Sequence, residues 1–363
     1  MGGAISGGDK MGKFHIYRDS VTGYEIRQYT QGPERNTKLY FTTENFTVDD
    51  RFFFFHKQIP AGTKNEAYSG RGELYKAEVQ TGEAKMVAGP EYSGFAMDRF
   101  QNYGVMLKGN IVCRFECDTD SITELGALPP GGQITGHLTT AQNGTIVCSY
   151  KQWNCIFALI VFDPKTGKSE VVHQSDYHLG HTQVCPTDDN TIFFIHETGG
   201  DALQRMWLFD VKASVARPYY VEADGEWITH EVWTANGENI VFMKLPSYIM
   251  MGTKDGHNFR VVAKGEQLLH PGVSHDSKWF CADRIGYLGV ESPNLVYLIN
   301  GETGKSIVLA GTDTPKTGAD HLHPSFNRKG DMILFNHPFT NGATQVCLID
   351  LNQLERPWLQ FTP

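Results

Sequence analysis

The chain has 363 residues, aromatics at 12 %, 38 glycines and charged residues at only 20 %, the composition of a turn-rich globular protein with a large core rather than a disordered or fibrous one. Its net charge of -9 argues against nucleic-acid binding, and an anionic ligand would need a local cationic group or a bound metal ion. No apolar stretch reaches the length of a membrane span.

Residues 1–16 open without an apolar run of signal length and read as a flexible N-terminus, with 17–363 as one domain. The expected location is the cytoplasm, with the periplasm as the alternative. The seven cysteines are odd in number and mostly flanked by apolar strand-like residues, which predicts buried thiols in a reducing compartment.

A turn signal followed by an apolar strand then recurs along the chain. Asp49-Asp50 precedes a run of four phenylalanines, Gln101-Asn102 precedes Val105-Met106-Leu107, and Asn143-Gly144 precedes Ile146-Val147-Cys148. Asp188-Asp189, Asn236-Gly237, Asp276-Ser277 and Lys329-Gly330 continue the series, at intervals of 41 to 53 residues. Each interval holds further strands and hairpin turns, as in Asp163-Pro164-Lys165-Thr166-Gly167, and no long amphipathic helix competes. The pattern predicts an all-β, seven-bladed β-propeller of four-stranded antiparallel blades. Residues 24–29 precede the first complete repeat, and residues 344–351 are the last blade's third strand; pairing of the two would close the ring.

Counting back six residues from the turns reaches His137, His230, His270 and His323, and seven back from Asp188 reaches His181. Five successive repeats thus carry a histidine near the start of the innermost strand, the position that lines one mouth of a propeller channel, whereas the first two carry Thr43 and Phe95. Second strands end and third strands begin at the same mouth. They bring His196, Glu197, Arg205, Asn336 and His337 to its rim. In Asp320-His321-Leu322-His323-Pro324, an extended backbone would point His321 and His323 to one face, where two imidazoles can hold a metal ion. His15, His56, His173, His178 and His257 read as structural, and His275 lies in a turn at the opposite mouth.

Beyond the repeats, the chain resembles the oligogalacturonate lyases, polysaccharide lyases built on a seven-bladed propeller with a divalent metal. The resemblance rests on Tyr17-Arg18-Asp19-Ser20-Val21-Thr22-Gly23-Tyr24-Glu25, Leu179-Gly180-His181, His196-Glu197, Arg205-Met206-Trp207-Leu208, Thr229-His230-Glu231-Val232-Trp233 and His321-Leu322-His323-Pro324-Ser325-Phe326. It implies His270, His321 and His323 as metal ligands, His230 as the catalytic base and Arg205 as a catalytic arginine beside the substrate. The family's glutamine ligand falls on Gly318 here; its place could be taken by Gln183, two residues after His181 and so on the same strand face, or by a water. Glu34 stands where the family commonly has a histidine, and an acid there would repel a uronate.

The implied activity is β-elimination on a uronide, most naturally an oligogalacturonide. The implied cofactor is Mn²⁺, with Zn²⁺ or Ca²⁺ as alternatives, since neutral imidazoles suit several divalent ions. His137, His181, His196, Glu197, Arg35 and His337 are the expected substrate contacts. Two other readings fit the same residues: a lyase on glucuronan, ulvan or rhamnogalacturonan fragments, and a propeller that binds an acidic sugar without chemistry.

Overall fold

The repeats fold into seven antiparallel sheets, one per repeat. The computed structural model describes residues 13–58, 72–198, 202–265, 267–285, 293–312, 321–339 and 343–354. Gly318 and Asp320 lie outside them. The first strands of the seven blades are Asn36–Lys38, Tyr92–Met97, the split pair Gly132–Ile134 and Thr139–Thr140, Leu179–Cys185, Trp227–Trp233, Leu268–Val273 and Ser325–Phe326. Each pairs with the strand after its turn, and two more strands complete each of the first six blades.

The apolar runs after the turns are second strands buried on both faces, because each blade is covered by a neighbour on either side. Phe53, Phe54, Phe193, Phe194, Phe242 and Phe335 are at most 1 % exposed. Seven hydrophobic clusters occupy the seven interfaces between neighbouring blades. Burying one such phenylalanine contributes about 1.5–3 kcal/mol. Six cysteines lie in this core; Cys155 departs from the expectation and is exposed, because it sits in the hairpin before Phe157–Asp163.

The seventh blade closes the ring. Glu25–Gln28 pairs antiparallel with Thr344–Asp350, with Ile26 opposite Ile349 and Gln28 opposite Cys347. A fifth strand, His15–Arg18, pairs outside it. The expected flexible segment 1–16 is therefore too long by at least His15 and Ile16. The mostly exposed run His15-Ile16-Tyr17-Arg18 gives no strong apolar signal because it lies at the edge of the sheet.

The first strands are not smooth. Register slips occur between Ser93 and Ala96, Gly180 and Gln183, Thr229 and Val232, and Leu268 and Pro271. In the third blade the strand breaks between Ile134 and Thr139. The first blade diverges furthest: the chain leaves after Lys38, which pairs with Phe55, and rejoins at Phe46, which pairs with Phe53. The residues between enter the central channel, where Tyr40 and Phe41 meet the histidines and Thr43 and Glu44 line two small cavities of about 40 and 30 Å³ beyond.

Candidate active site

A β-bulge swings the extra residue out of the ladder and re-aims its side chain. His181, His230 and His270 occupy three of these bulges, His137 lies in the break of the third blade's first strand, and His323 stands just before Ser325–Phe326. His181, His230 and His323 have φ of 44°, 56° and 46°, a left-handed backbone uncommon for anything but glycine. In the second blade Gly94 holds the matching place at φ 66°, and a Cβ there would collide with Ile134. Such strained residues persist where surrounding structure over-determines them, and they cluster at functional sites. The His-x-His is corrected here: residues 321–324 are not extended strand, and His321 and His323 converge through the left-handed turn at His323 rather than through strand alternation.

The register prediction brings the five imidazoles to one place. Ring centroids run 6.3 Å from His181 to His230, 4.2 Å from His230 to His270, 4.1 Å from His270 to His323 and 5.0 Å from His270 to His321. Tyr40 stands among them, 5.1 Å from His323, 6.1 Å from His181 and 6.3 Å from His137. The Nε2 of His137 is 3.1 Å from the Thr42 hydroxyl. Tyr40 and Phe41 lie outside the repeat pattern, because their place depends on the excursion of the first blade's inner strand.

His270, His321 and His323 each offer a ring nitrogen, all within 4.8 Å of one another. Behind them, fully buried Asp283 lies 2.9 Å from His270 Nδ1 and accepts the backbone N–H of His270 and of His323. With His270 Nδ1–H donating to this carboxylate, Nε2 carries the lone pair, and it faces His323 Nε2 at 3.1 Å. Burial of Asp283 raises its pKa, and His321 and the two backbone amides oppose the rise. His270 and His323 are held well below the usual imidazole range, first by burial and then by one another or His321. A buried carboxylate behind three imidazoles is a donor set that fits a divalent cation, with the carboxylate fixing ligand orientation. Lys38, buried beside this group, donates to the Leu39 carbonyl at 2.8 Å, and burial pushes its pKa down to about 7.

Beside this triad, burial holds His230 well below the usual imidazole range, with His270 adding to the effect. Its Nδ1 is buried and has no hydrogen-bond partner among the described residues. His181 Nδ1 is 2.7 Å from Glu231, whose other oxygen accepts from Arg205 Nε at 3.1 Å. Burial would raise the Glu231 carboxyl, but Arg205 and His181 outweigh it and hold it down at about 2. Arg205 is 4 % exposed and also reaches both oxygens of Glu197 at 3.5 Å. Its guanidinium is therefore held by protein carboxylates, a different setting from the expected clamp on a substrate.

The remaining expected contacts are scattered. His196 packs on Tyr177 at 4.1 Å, and His337 stacks on Phe339 at 4.1 Å. Arg35 is half-buried just before the first blade's inner strand. Gln183 lies past the bulge, where its amide donates to the carbonyls of Glu231 and His181, and its side chain lines the cavity shared with Glu44 and Arg99 rather than joining the three histidines. Two residues are not one pleat here: the slip between Gly180 and Gln183 breaks the same-face rule that nominated it. The acid at Glu34 is compensated by Lys57 at 3.7 Å. His275, as expected, is at the far mouth, 3.2 Å from Glu44.

Replacing Glu231 by alanine is expected to destabilise the fold by about 3–5 kcal/mol in denaturant unfolding, because it strands the buried Arg205 charge. Glu231 has its folded pKa depressed to about 2 from an ordinary 4.5, so its stabilisation is complete above pH 4.5 and is lost as pH falls toward 2. The stability difference between wild type and Glu231→Gln should shrink across that window.

Sequence comparison finds similarity to one family of lyases. The model of the oligogalacturonate lyase family matches residues 147–261. The oligogalacturonate lyase of Dickeya dadantii is 26 % identical over 89 % of this chain and 92 % of its own length. The chain is thus similar to oligogalacturonate lyases along most of its length. A second relative, the oligogalacturonide lyase of Pectobacterium atrosepticum, is 28 % identical over 49 % of the chain and 51 % of its own length. Among solved structures, an oligogalacturonate lyase in complex with manganese superposes with a TM-score of 0.82 at 23 % identity, over 95 % of this chain and 97 % of that one. The oligogalacturonate lyase of Vibrio parahaemolyticus gives 0.80 at 21 % identity, over 93 % and 96 %. These two carry the fold of the family, a seven-bladed propeller.

Proposed function

We propose that this chain is a metal-dependent lyase that cleaves oligogalacturonides by β-elimination, leaving an unsaturated uronate. The observation that carries the reading is the juxtaposition of a three-histidine group backed by Asp283 with a neutral, strained His230 one ring away. His270, His321 and His323 would hold the divalent ion, with Mn²⁺ the first choice because the solved relative was described with manganese. Bound there, the ion would neutralise the substrate carboxylate and so make the adjacent C5–H more acidic.

In this reading the chain's own groups perform the proton transfer. His230 takes the C5 proton; the C–H electron pair becomes the C4–C5 double bond, and the C4–O bond breaks with its electron pair to the leaving sugar's oxygen, which takes up a proton from solvent. Burial keeps His230 neutral, the form that a base requires. Glu231 fixes His181 as an Nδ1–H tautomer, leaving its Nε2 to accept a hydrogen bond from the sugar. Arg205 is a positioning residue that holds Glu231 in place.

Incubation with oligogalacturonides should produce the ultraviolet absorbance of an unsaturated uronate, abolished by exhaustive chelation and restored by Mn²⁺. Absence of the chromophore with these substrates, with glucuronan and with ulvan would sink the lyase reading.

A further inference from the structure

A cavity of about 400 Å³ opens between the second and third blades on the same face as the histidines. Its inner end is bordered by Ser93 and Gly136. These adjoin Gly94 and His137 in sequence, and the Gly94 carbonyl accepts the N–H of Leu138 at 3.0 Å. The inner wall of the cavity is thus the backbone that sets His137 in the histidine cluster. At the outer end stands Trp153, 68 % exposed, at the hairpin after Ile146–Gln152. Its backbone N–H is tied to the Gly131 carbonyl at 2.8 Å, which fixes the base of the side chain beside the cavity.

Resting on the lyase reading, we propose that this cavity is an outer subsite for one uncharged pyranose unit of the oligosaccharide, stacked on Trp153. An exposed indole beside a cavity offers the flat apolar surface on which the C–H face of a sugar ring packs. Asn110 and Gln133 line the walls with amide groups suited to sugar hydroxyls, and the Asn110 amide nitrogen already donates to the Leu128 carbonyl at 3.2 Å, leaving its carbonyl oxygen for the ligand. Among the described residues the lining holds one carboxylic acid, Glu91, and neither lysine nor arginine. An ionised uronate would meet a like charge with no cation to offset it. A neutral hexose, or a uronate whose carboxyl is methyl-esterified, meets none. The two ends of the path are therefore complementary: the histidine cavity takes the charged unit that reacts, and the Trp153 cavity takes an uncharged one further along the chain.

The test compares three oligogalacturonides of equal length: one fully ionised, one with a methyl-esterified terminal unit and one ending in a neutral hexose. For Trp153→Ala, KM should rise about tenfold on the substrates with an uncharged end, with kcat kept, because only uniform binding is removed. The ionised substrate should show no change. A rise on just one of the two uncharged-end substrates still supports the subsite and identifies its source. Equal KM in wild type and variant on both, or an equal rise on all three, overturns it. Calorimetric titration of the same three ligands into wild type and Trp153→Ala decides the subsite even where no unsaturated product forms, so the lyase reading and the subsite can fail separately. Gln133→Ala, in the strand beside Trp153, serves as a second variant with the same expected pattern.

Discussion

His230→Ala is expected to lower the rate of unsaturated-product formation by about 10²–10⁴-fold, the range of a lost general base. The expectation rests on three features of one residue. Its ring sits 4.2 Å from His270, its Nδ1 has no partner among the described residues, and burial keeps it neutral. The backbone at φ 56° complicates the measurement, since alanine in this conformation carries strain of its own. His230→Asn is the companion, because asparagine tolerates left-handed backbone. Both variants should lose turnover while keeping the β-sheet circular dichroism of the parent. Full activity in either would remove His230 from the proton transfer.

The second large effect is expected at Asp283, which no motif singles out. Asp283→Asn should weaken Mn²⁺ binding by about 10–100-fold, the usual consequence of altering a group that orients a metal ligand. His270→Ala, which removes a nitrogen donor outright, should weaken it further. The readout need not be activity. At an ion concentration one hundred times its dissociation constant, bound metal stabilises the folded chain by about 2.7 kcal/mol. Thermal unfolding with and without Mn²⁺ should therefore show a clear upward shift for wild type and a much smaller one for Asp283→Asn at the same ion concentration. An equal shift in both would mean that Asp283 serves the fold alone.

The contrast between His270 and Asp283 shows what was legible in the sequence. The turns recur at near-constant spacing because every blade solves the same packing problem, and the histidines share a register because every inner strand is displaced at the same level. Both are local periodicities. Asp283 is 13 residues from His270 and Glu231 is 50 from His181, and each acts through a contact between strands that spacing does not encode. The Gln183 expectation failed for the complementary reason: it assumed an ideal pleat where the strand bulges. Arg205 stands out in the sequence as a rim arginine, yet its ion pair with the buried Glu231 comes from contact with the neighbouring blade, which spacing does not encode.

The seam between Glu25–Gln28 and Thr344–Asp350 has a consequence for how the site comes into being. The residues that meet in the channel come from Tyr40 to His323, nearly the full length of the chain, so no fragment of the ring can assemble them. The last event is expected to be the docking of the earliest strands onto the final blade, contacts that loop-closure entropy makes slow to form. Metal capture is then a report on completion: a chain whose ends have not met should bind the ion poorly even with every ligand present. Loosening Ile26 against Ile349, on the outer side of a blade and remote from the chemistry, should open the centre by letting the circle gape.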